Sequence, residues 1–532
     1  MHNKFFKILK INKFTVFFAC FLILFIISLA VINVNFNAYG ITVFKNNFLA
    51  IFDQSKVDSS SLLIKTFSYL WTTIKYVVTG TVIGFSLGCF LGYLSALKIT
   101  NNLTAWLLKL TIIFFRSFPV VIFINLFNSS FNSDLSALII IGWFSMLWAA
   151  KYISDYIENS KIYQFELSLM RSQNKIQAFL NNIYVDIKTK ILVLFAYSLE
   201  SNFRWTTVLS AVGLLGLGQL INDPIKLNNF GEILIPLIVL MIFLLINEMI
   251  LFLFEKYLIK RKSYDPKKDV KKQIFIKKIV SYWILLSLII FSLYSILSIN
   301  LKTNNLLIFT DFFERLFNFN KSFYTIKSFN QNPILLLINL TLQTVLILGI
   351  TLILGIIFAV ISSNLVNKYV SIFFKSLFLI IRTIPIIILF RIFNPLFNSG
   401  ISTIAIIGSF HISTSLSKRI YESINSLNWT LIDNMKTKLY TNWEILKLYV
   451  IPSIKKDLIT IYSLEFESIL RLLIILGAYG TSVIGQLIDS FIYRDNIKNL
   501  GSYTIAIMVY FQLIDLISLA IRYKKINFFY TS

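Results

Sequence analysis

Apolar runs long enough to cross a lipid bilayer recur along the whole chain of 532 residues. A membrane-spanning helix needs about 20 predominantly apolar residues. Only 14% of the residues are charged, whereas soluble domains carry about 25%. The pattern predicts an all-α, polytopic membrane protein with about 12 transmembrane helices, at 14–32, 71–97, 103–125, 135–150, 191–221, 233–259, 279–299, 334–362, 370–393, 401–416, 458–488 and 503–521.

The basic residues, 50 Lys and Arg against 25 Asp and Glu, cluster beside apolar runs rather than forming a nucleic-acid surface. Three clusters stand out: Lys4, Lys7, Lys10 and Lys13 before the first run, the stretch 260–278 between the sixth and seventh, and Arg522, Lys524 and Lys525 after the last. Basic residues favour the cytoplasmic side of a membrane. Twelve spans place all three clusters there, so both termini and the 260–278 linker are predicted to be cytoplasmic. With two cysteines and two histidines, no metal site is predicted.

The predicted spans form one set of six that occurs twice. RSFPVVIFINLFNSSFNS at 116–133 matches RTIPIIILFRIFNPLFNS at 382–399 at an offset of 266, and ESNFR at 200–204 matches ESILR at 467–471 at an offset of 267. Because six is even, the two copies have the same orientation, which predicts two parallel six-helix repeats in a covalent pseudo-dimer. The predicted organisation is a first repeat at 1–259 (core about 71–259), the linker at 260–278, and a second repeat at 279–532 (core about 334–521).

ESNFR and ESILR place charges inside predicted spans, where each costs at least about 2.5 kcal/mol. Glu200 and Arg204, like Glu467 and Arg471, are four residues apart and share one helical face. One interpretation is a structural ion pair that braces neighbouring helices. The other is a translocation path at the pseudo-twofold axis, where the planar fork of arginine suits phosphate or phosphonate oxygens. One pair can serve both purposes.

Two arginines precede a proline by three residues inside a predicted span: Arg116 before Pro119, and Arg382 before Pro385. Proline kinks a helix and frees a backbone carbonyl to which the arginine could donate. The sites are therefore candidates for a gate or hinge, the alternative being arginines that extend to the membrane interface. His411, in the tenth predicted span, is expected to be a hydrogen-bonded packing residue.

Glycines recur every four residues at Gly80, Gly84, Gly88 and Gly92. This spacing predicts a face of close contact between two helices. The second copy keeps only Gly355, with small residues Ala359 and Ser363, so the contact is expected to differ between the repeats.

Polar segments of about 40 residues lie between spans four and five and between spans ten and eleven, on the predicted cytoplasmic side. Each carries an apolar stripe at helical spacing, formed by Ile176, Phe179, Leu180 and Ile183 in the first and by Ile445, Leu448 and Tyr449 in the second. Pro452 is expected to end the second stripe. Such an amphipathic helix can lie on lipid, pack beneath its own bundle or dock into a partner.

These motifs, in order and twice, resemble the ABC importer permeases of the binding-protein-dependent type I, most closely the phosphonate-transport permease family with two copies fused. In that family the cytoplasmic loop carries Glu-Ala-Ala, a glycine three residues on, and a later proline. Asp433, Leu439 and Pro452 stand at these positions in the second half, and Glu166 and Ser172 in the first half, which lacks the proline near 185–186. The family's Arg-Thr-x-Pro corresponds to RSFP and RTIP, and its Glu-x-x-x-Arg to ESNFR and ESILR.

The resemblance implies a permease subunit of an ATP-driven importer, not an enzyme. The chain has no GxxxxGK[ST] motif, so no cofactor is expected on it; ATP and Mg are expected on two copies of a cytoplasmic ABC ATPase. An extracellular substrate-binding lipoprotein is the other expected partner, as in the mycoplasma-type high-affinity transport system that the chain also resembles, and segments 33–70 and 300–333 are its expected docking surface. The expected substrate is phosphonate or another phosphate-bearing small organic anion, with thiamine or its phosphate ester as the alternative.

Two rival functions are compatible with a polytopic chain. A secondary transporter of the major-facilitator type also has six-plus-six parallel repeats, but it is expected to carry a charged, glycine-rich loop where this chain has only KITNN at 98–102. A polytopic membrane enzyme is expected to carry a cluster of histidines or carboxylates at one membrane face, and the sequence offers no such motif.

Overall fold

The computed structural model describes residues 13–55, 57–160, 163–210, 213–254, 270–299, 303, 307–326 and 328–528. Within these residues the chain is helical, and the only β-pairing is two isolated bridges. The predicted cytoplasmic residues Lys4, Lys7 and Lys10 and most of the 260–278 linker lie outside the described residues, as do the side chains of the third basic cluster.

The helices of the first sequence half are α1 Lys13–Val31, α2 Gly40–Phe52, α3 Ser59–Leu94, α4 Asn102–Arg116, α5 Val120–Ser130, α6 Ser133–Glu158, α7 Tyr163–Met170, α8 Lys175–Ala178, α9 Tyr184–Leu209, α10 Gln219–Leu227 and α11 Leu234–Phe254. Those of the second half are α12 Val270–Ser298, α13 Leu307–Phe317, α14 Pro333–Ser362, α15 Lys368–Thr383, α16 Ile386–Phe393, α17 Gly400–Thr403, α18 Ser409–Asn425, α19 Trp429–Thr437, α20 Asn442–Ile445, α21 Ile451–Ile475, α22 Val483–Tyr493 and α23 Ile497–Phe528.

The two long helices α3 and α14 begin at side chains that satisfy their first backbone N–H groups. Asp58 accepts a hydrogen bond from the backbone N–H of Ser61, and its hydrogen bonds with Ser61 and Ser60 hold the pKa of its carboxyl below the ordinary value. Asn332 accepts from the N–H of Ile334, and Pro333 occupies the first turn, where its missing N–H costs nothing.

Among the described residues, six helices are long and apolar enough to cross a membrane, and three bent helix pairs meet the same criterion. Two of the pairs, α4 with α5 and α15 with α16, bend by 83° just before the prolines that the sequence singled out. Predicted spans 14–32, 191–221 and 401–416 do not meet the criterion within the described residues: α1 is a short apolar helix there, α9 is interrupted by charges, and a π-helical turn divides 401–416. The chain is a multi-pass, all-α membrane protein, and the count of twelve spans stays a prediction.

The chain divides into two compact units that differ from its sequence halves. The first unit comprises Met1–Ala50 and Phe319–Ala506, and the second comprises Ile51–Asn318 and Ile507–Ser532. In the first unit α1 packs against α14, and in the second α12 packs against α3. The initial helix of each sequence half therefore packs with the core of the other half. The predicted boundaries at 1–259 and 279–532 describe the repeat in sequence, and the two sequence halves exchange these helices in the packed structure.

The duplication is also visible in the backbone. Three pairs of residues with positive φ are separated by 267 positions: Ser172 and Leu439, Asn228 and Asp495, and Gly213 and Gly480. Two π-helical turns, Phe179–Ile183 and Leu446–Val450, have the same separation. Since left-handed residues and π turns are locally unfavourable, their shared register indicates that both halves adopt one chain path.

The predicted glycine face of α3 packs directly on α6. A Cβ at Gly84 would lie 2.1 Å from the carbonyl oxygen of Gly142, and one at Gly88 would lie 2.6 Å from the Cβ of Ala149. In the first unit a Cβ at Gly355 would meet only the flexible end of Leu416, at 2.8 Å. The predicted close contact and its asymmetry between the repeats are both confirmed.

We expect Gly84→Ala to destabilise the chain by about 1–3 kcal/mol, because the added methyl group must push α3 and α6 apart. Thermal unfolding of the full-length chain in detergent measures the effect. Gly142→Ala is the matched control in the same interface, since its Cβ would meet the Gly80 carbonyl oxygen at 3.4 Å, an ordinary contact. An equal loss of thermal stability in Gly84→Ala and Gly142→Ala would contradict the assigned backbone contact.

Candidate functional site

The charged pair of ESNFR is paired within its own helix and with one neighbour. Arg204 donates from Nη2 to Glu200 Oε1 at 2.5 Å along α9. The same nitrogen lies 3.4 Å from Oε2 of Glu248 on α11. Arg204 is thus shared between two carboxylates inside the second unit. This is the contact expected of a bracing pair, and the lining of a translocation path by these residues stays a prediction.

Asn202, inside the same motif, ties α9 to two further helices. Its side-chain amide donates to the hydroxyl oxygens of Thr81 on α3, at 2.7 Å, and Ser145 on α6, at 2.8 Å. Both hydroxyl groups belong to buried residues. Glu200, Asn202 and Arg204 thus have polar partners on α9 itself and on three neighbouring helices, which lets a polar stretch occupy the interior of the unit.

The second motif has the same internal pair and a different neighbour. Arg471 donates from Nη2 to Glu467 Oε1 at 3.0 Å along α21 in the first unit. Two residues before Glu467, Glu465 accepts from Arg419 on α18 at 2.6 Å. Sequence reasoning missed Glu465, although it is a second carboxylate in the same apolar run.

Two further acids were missed, the half-buried Glu248 and the buried Asp515, and they occupy equivalent positions. Glu248 and Asp515 are 267 residues apart, each in the last predicted span of its half. Glu248 contacts Arg204, whereas Asp515 contacts Arg116 and Lys151. A lone carboxylate in an apolar run is the signal that could have found them. In the described part of the chain no group of three or more His, Cys, Asp or Glu side chains could hold a metal ion.

The break between α4 and α5 is held by polar contacts from α23. Arg116, the last residue of α4, donates from Nη1 to Asp515 Oδ2 at 3.3 Å. One turn earlier on α23, Gln512 donates to the hydroxyl oxygen of Ser117 at 3.3 Å. Arg116 is buried, so its guanidinium lies in an internal ion pair rather than at an interface. The role of Arg116 and Pro119 as a gate or hinge stays a prediction.

The equivalent break between α15 and α16 is held by a histidine. His411 Nε2 lies 2.9 Å from the carbonyl oxygen of Ile384, directly before Pro385. With a carbonyl as acceptor, the hydrogen is on Nε2. The prediction that His411 is a hydrogen-bonded packing residue is confirmed. Arg382 is buried at the same break, and its role as a gate stays a prediction.

The two polar loops end their first helices in the same way. In each, a residue with positive φ follows the helix, Ser172 at 60° and Leu439 at 63°. The next backbone N–H donates five residues back, from Gln173 to Ser168 after α7 and from Tyr440 to Met435 after α19. This is the Schellman motif, in which glycine usually occupies the left-handed position. The resemblance assigned the family's glycine to these two positions.

The acidic residues of the loops are solvent-exposed, and the proline acts differently from the expectation. Glu166 lies in the first turn of α7, and Asp433 lies on α19, both exposed. Pro452 was expected to end the apolar stripe, but the chain remains helical through it, from the π turn into α21. That expectation is wrong because Pro452 lies in the first turn of α21, where a missing N–H is tolerated.

The apolar stripes are divided between an inner and an outer face. Ile183 and Ile445 are buried, whereas Ile176 and Trp443, which are equivalent in the repeat, are 65% and 72% exposed. The capping box at Thr441 and Glu444 fixes the start of α20 beside Trp443. Backbone and side-chain hydrogen bonds from Thr441 hold the pKa of the Glu444 carboxyl below its ordinary value. Each loop thus combines a packed side with an outward apolar side chain.

We expect Leu439→Gly to strengthen the end of α19, because a non-glycine residue with positive φ costs about 1–2 kcal/mol. Leu439 is 90% exposed, so little packing is lost. Hydrogen exchange of the Tyr440 amide should slow about fivefold. In Lys438→Gly, the control with φ of −86°, exchange should quicken. Faster exchange in both variants would argue against relief of backbone strain.

Comparison with known proteins agrees with the repeated motifs. The family described as "Binding-protein-dependent transport system inner membrane component" matches residues 80–264. The chain is 35% identical over 500 residues to the ABC transport system permease protein p69 of Mycoplasma genitalium, covering 93% of this chain and 91% of that protein. It is 34% identical over 501 residues to p69 of Mycoplasma pneumoniae, covering 92% and 91%. No solved structure gives a significant match.

Proposed function

Because the chain belongs to the family of binding-protein-dependent transport system inner membrane components, we propose that it imports a phosphate-bearing small organic anion, such as a phosphonate. Members of the family are subunits of transporters, so the chain is not an enzyme. This membership excludes the two alternatives, a secondary transporter of the major-facilitator type and a polytopic membrane enzyme. The observation that carries the proposal is the duplicated Glu-x-x-x-Arg pair, whose arginines are partly exposed at 21% and 18% of their side chains. A guanidinium that remains partly accessible can exchange its carboxylate partner for phosphate oxygens.

In this proposal Glu200, Arg204, Glu467 and Arg471 line the translocation path. The glutamates hold each guanidinium in place. They also lower the affinity of the guanidinium for the anion, so that the solute is released. Arg116 and Pro119, with Arg382 and Pro385, form the gates, since both 83° bends lie there. A proline-broken helix can change its bend with fewer backbone hydrogen bonds to lose.

The coupling loops supply the attachment for two copies of a cytoplasmic ABC ATPase, which bind ATP and Mg while this chain binds no cofactor. Supporting this role are the identical Schellman ends at Ser172 and Leu439 and the exposed Ile176 and Trp443 in both loops. A rigid helix end with an outward apolar side chain is suited to enter a partner's groove. In this arrangement both termini are cytoplasmic, and a binding lipoprotein docks outside on 33–70 and 300–333.

A second substrate class is favoured by one contact. Arg204 is shared between Glu200 and Glu248, so the path at this point also offers carboxylates to a cation. Thiamine or thiamine phosphate carries a positive ring, and the ester adds a phosphate. This contact makes thiamine and its phosphate the alternative substrates.

The path assignment predicts that Arg204→Ala plus Arg471→Ala reduces uptake about tenfold or more, since each lost charged hydrogen bond is worth about 1.5–3 kcal/mol. Uptake of radiolabelled methylphosphonate and thiamine phosphate is measured in cells that express the complete transporter. Assembly should persist, as judged by co-purification with the ATPase. Arg419→Ala, which breaks the Arg419–Glu465 pair on a different face, is the control and should retain uptake. Loss of the assembled complex in the double variant would instead assign the pairs a bracing role.

The coupling assignment predicts that Glu166→Ala plus Asp433→Ala weakens attachment of the ATPase, because both exposed loops lose their charge together. Retention of the ATPase on the purified permease and its ATP hydrolysis measure the effect. Asp311→Ala plus Glu314→Ala on α13 removes the same charge from the opposite predicted side and should leave attachment intact. An ATPase that stays fully attached and coupled to the loop variant would refute the loop assignment.

A further inference from the structure

The short turn at 95–101, between α3 and α4, is held by the last residue of α6. Glu158, which ends α6, accepts a hydrogen bond on Oε1 from the backbone N–H of Leu97 at 3.3 Å. The ammonium group of Lys109 on α4 contacts the same oxygen. Glu158 and Lys109 are both buried. One carboxylate therefore joins the end of α6 to the 95–101 turn and to α4.

The other half of the chain makes the same connection with an amide. Asn425, the last residue of α18, accepts a hydrogen bond on Oδ1 from the backbone N–H of Asn364 at 3.2 Å. Asn364 lies in the turn at 363–367, between α14 and α15. Asn425 and Asn364 are each 267 positions after their counterparts, Glu158 and Leu97. Because the contact occurs in both copies although its acceptor group differs, it belongs to the chain path that the halves share.

Both turns also have the same internal hydrogen bond. The N–H of Ile99 donates to the carbonyl oxygen of Ala96 at 3.2 Å, and the N–H of Val366 donates to that of Ser363 at 3.5 Å. The two donors, and likewise the two acceptors, are 267 residues apart. Each turn therefore contains an amide whose protection reports on the turn itself and not on the contact from α6 or α18.

The turns are buried in the same apolar clusters as the loops that contain α7 and α19. In the second unit Ile99 shares a cluster with Phe165 of α7. In the first unit Leu365 shares a cluster with Ile432 of α19, the equivalent of Phe165. Energetic coupling between distant sites is carried by packed side chains and hydrogen bonds. Each turn has both kinds of contact with the element that precedes or forms its loop.

We propose that the 95–101 and 363–367 turns belong to the machinery that couples the ATPase to the membrane helices, with Glu158 and Asn425 as its positioning residues. Each residue holds its turn against the end of the helix that leads to a coupling loop. A displacement of the loop therefore moves α3 with α4 in one unit, and α14 with α15 in the other. The inference rests on the proposed attachment of the ATPase to these loops. Since an acceptor oxygen is what the two contacts share, a neutral amide is expected to replace the Glu158 carboxylate.

The first test measures hydrogen exchange of the Ile99 and Val366 amides in the full-length chain in detergent. Glu158→Ala should quicken exchange at Ile99 about tenfold, and Asn425→Ala should quicken it at Val366 about threefold, because a hydrogen bond to a charged acceptor is worth more than one to an amide. Glu158→Gln keeps an acceptor oxygen, so exchange at Ile99 should stay within about threefold of the parent rate.

Matched controls lie one residue further along at equivalent positions. Asn159 and Ser426 are exposed, and their side chains donate to the backbone of the helix that precedes them, at Asp155 and Ser423. Asn159→Ala and Ser426→Ala should leave exchange in the turns at the parent rate.

The second test adds the cognate ATPase with ATP and vanadate, and compares the Ile99 amide with the Gln173 amide in the loop after α7. In the parent, exchange at both amides should change by at least about twofold. In Glu158→Ala the change at Gln173 should persist and the change at Ile99 should be lost, whereas Glu158→Gln should keep both. A purely local structural role would alter the resting rate at Ile99 but not its response to ATP.

Three results would overturn the proposal: an equal gain in exchange in Asn159→Ala, a response to ATP at Ile99 that survives in Glu158→Ala, or a Glu158→Gln variant that behaves as Glu158→Ala does. If Glu158→Ala does not fold, Asn425→Ala replaces it, with Val366 and Tyr440 as the reporter amides. Failure of both variants to fold would assign the contacts to stability alone and would also overturn the proposal.

The parent separates this inference from the proposed function. If ATP changes exchange at Gln173 and not at Ile99, the coupling loops keep their assignment and the turns are excluded from the coupling machinery. If ATP changes exchange at neither amide although the ATPase is attached, the loop assignment under the proposed function fails together with the inference.

Discussion

An ionised side chain inside a membrane has to find its counter-charge within the protein, because the lipid around it offers none. Much of this chain is arranged around that requirement. Arg204, Arg471, Arg419 and Arg116 each lie against a carboxylate. Three of these carboxylates, Glu248, Glu465 and Asp515, come from a helix other than the arginine's own. These three ion pairs therefore join helices that are distant in the sequence. Each pairing offsets part of the cost of keeping its two charges away from water.

The duplication gives both halves the same arrangement of helices, but the charged contacts differ between the halves. Both halves retain the internal Glu-x-x-x-Arg pair, the bend before proline and the left-handed helix ends. At the bends they diverge, since Asp515 reaches Arg116 in one and His411 binds the Ile384 carbonyl in the other. The backbone path is shared, and the polar contacts on it are specific to each half.

What could be predicted from the sequence was what is local along the chain. Glu200 with Arg204 is visible because both residues lie on one helix at helical spacing, and the bends are visible because proline excludes the N–H that would continue the helix. The ion pairs of Glu248 and Asp515 could not be predicted because their partners lie on other helices. The sequence of an apolar run does not show which helices it packs against. Pro452 was misjudged because the effect of proline depends on its position in a helix, and that depends on the π turn before it. The exchange of α1 and α12 between the sequence halves could likewise not be predicted, since hydropathy identifies spans and not the helices they pack against.

That exchange has a consequence for how such a chain can be taken apart. Phe25 of α1 lies over Gly349 of α14, so closely that a methyl group on the glycine would come within 2.3 Å of the ring. Either half, if synthesised alone, would carry an initial helix without its groove and a groove without its helix. Two such halves could satisfy each other by trading those helices. In the fused chain the exchange of helices is intramolecular, so it does not depend on the concentration of separate halves.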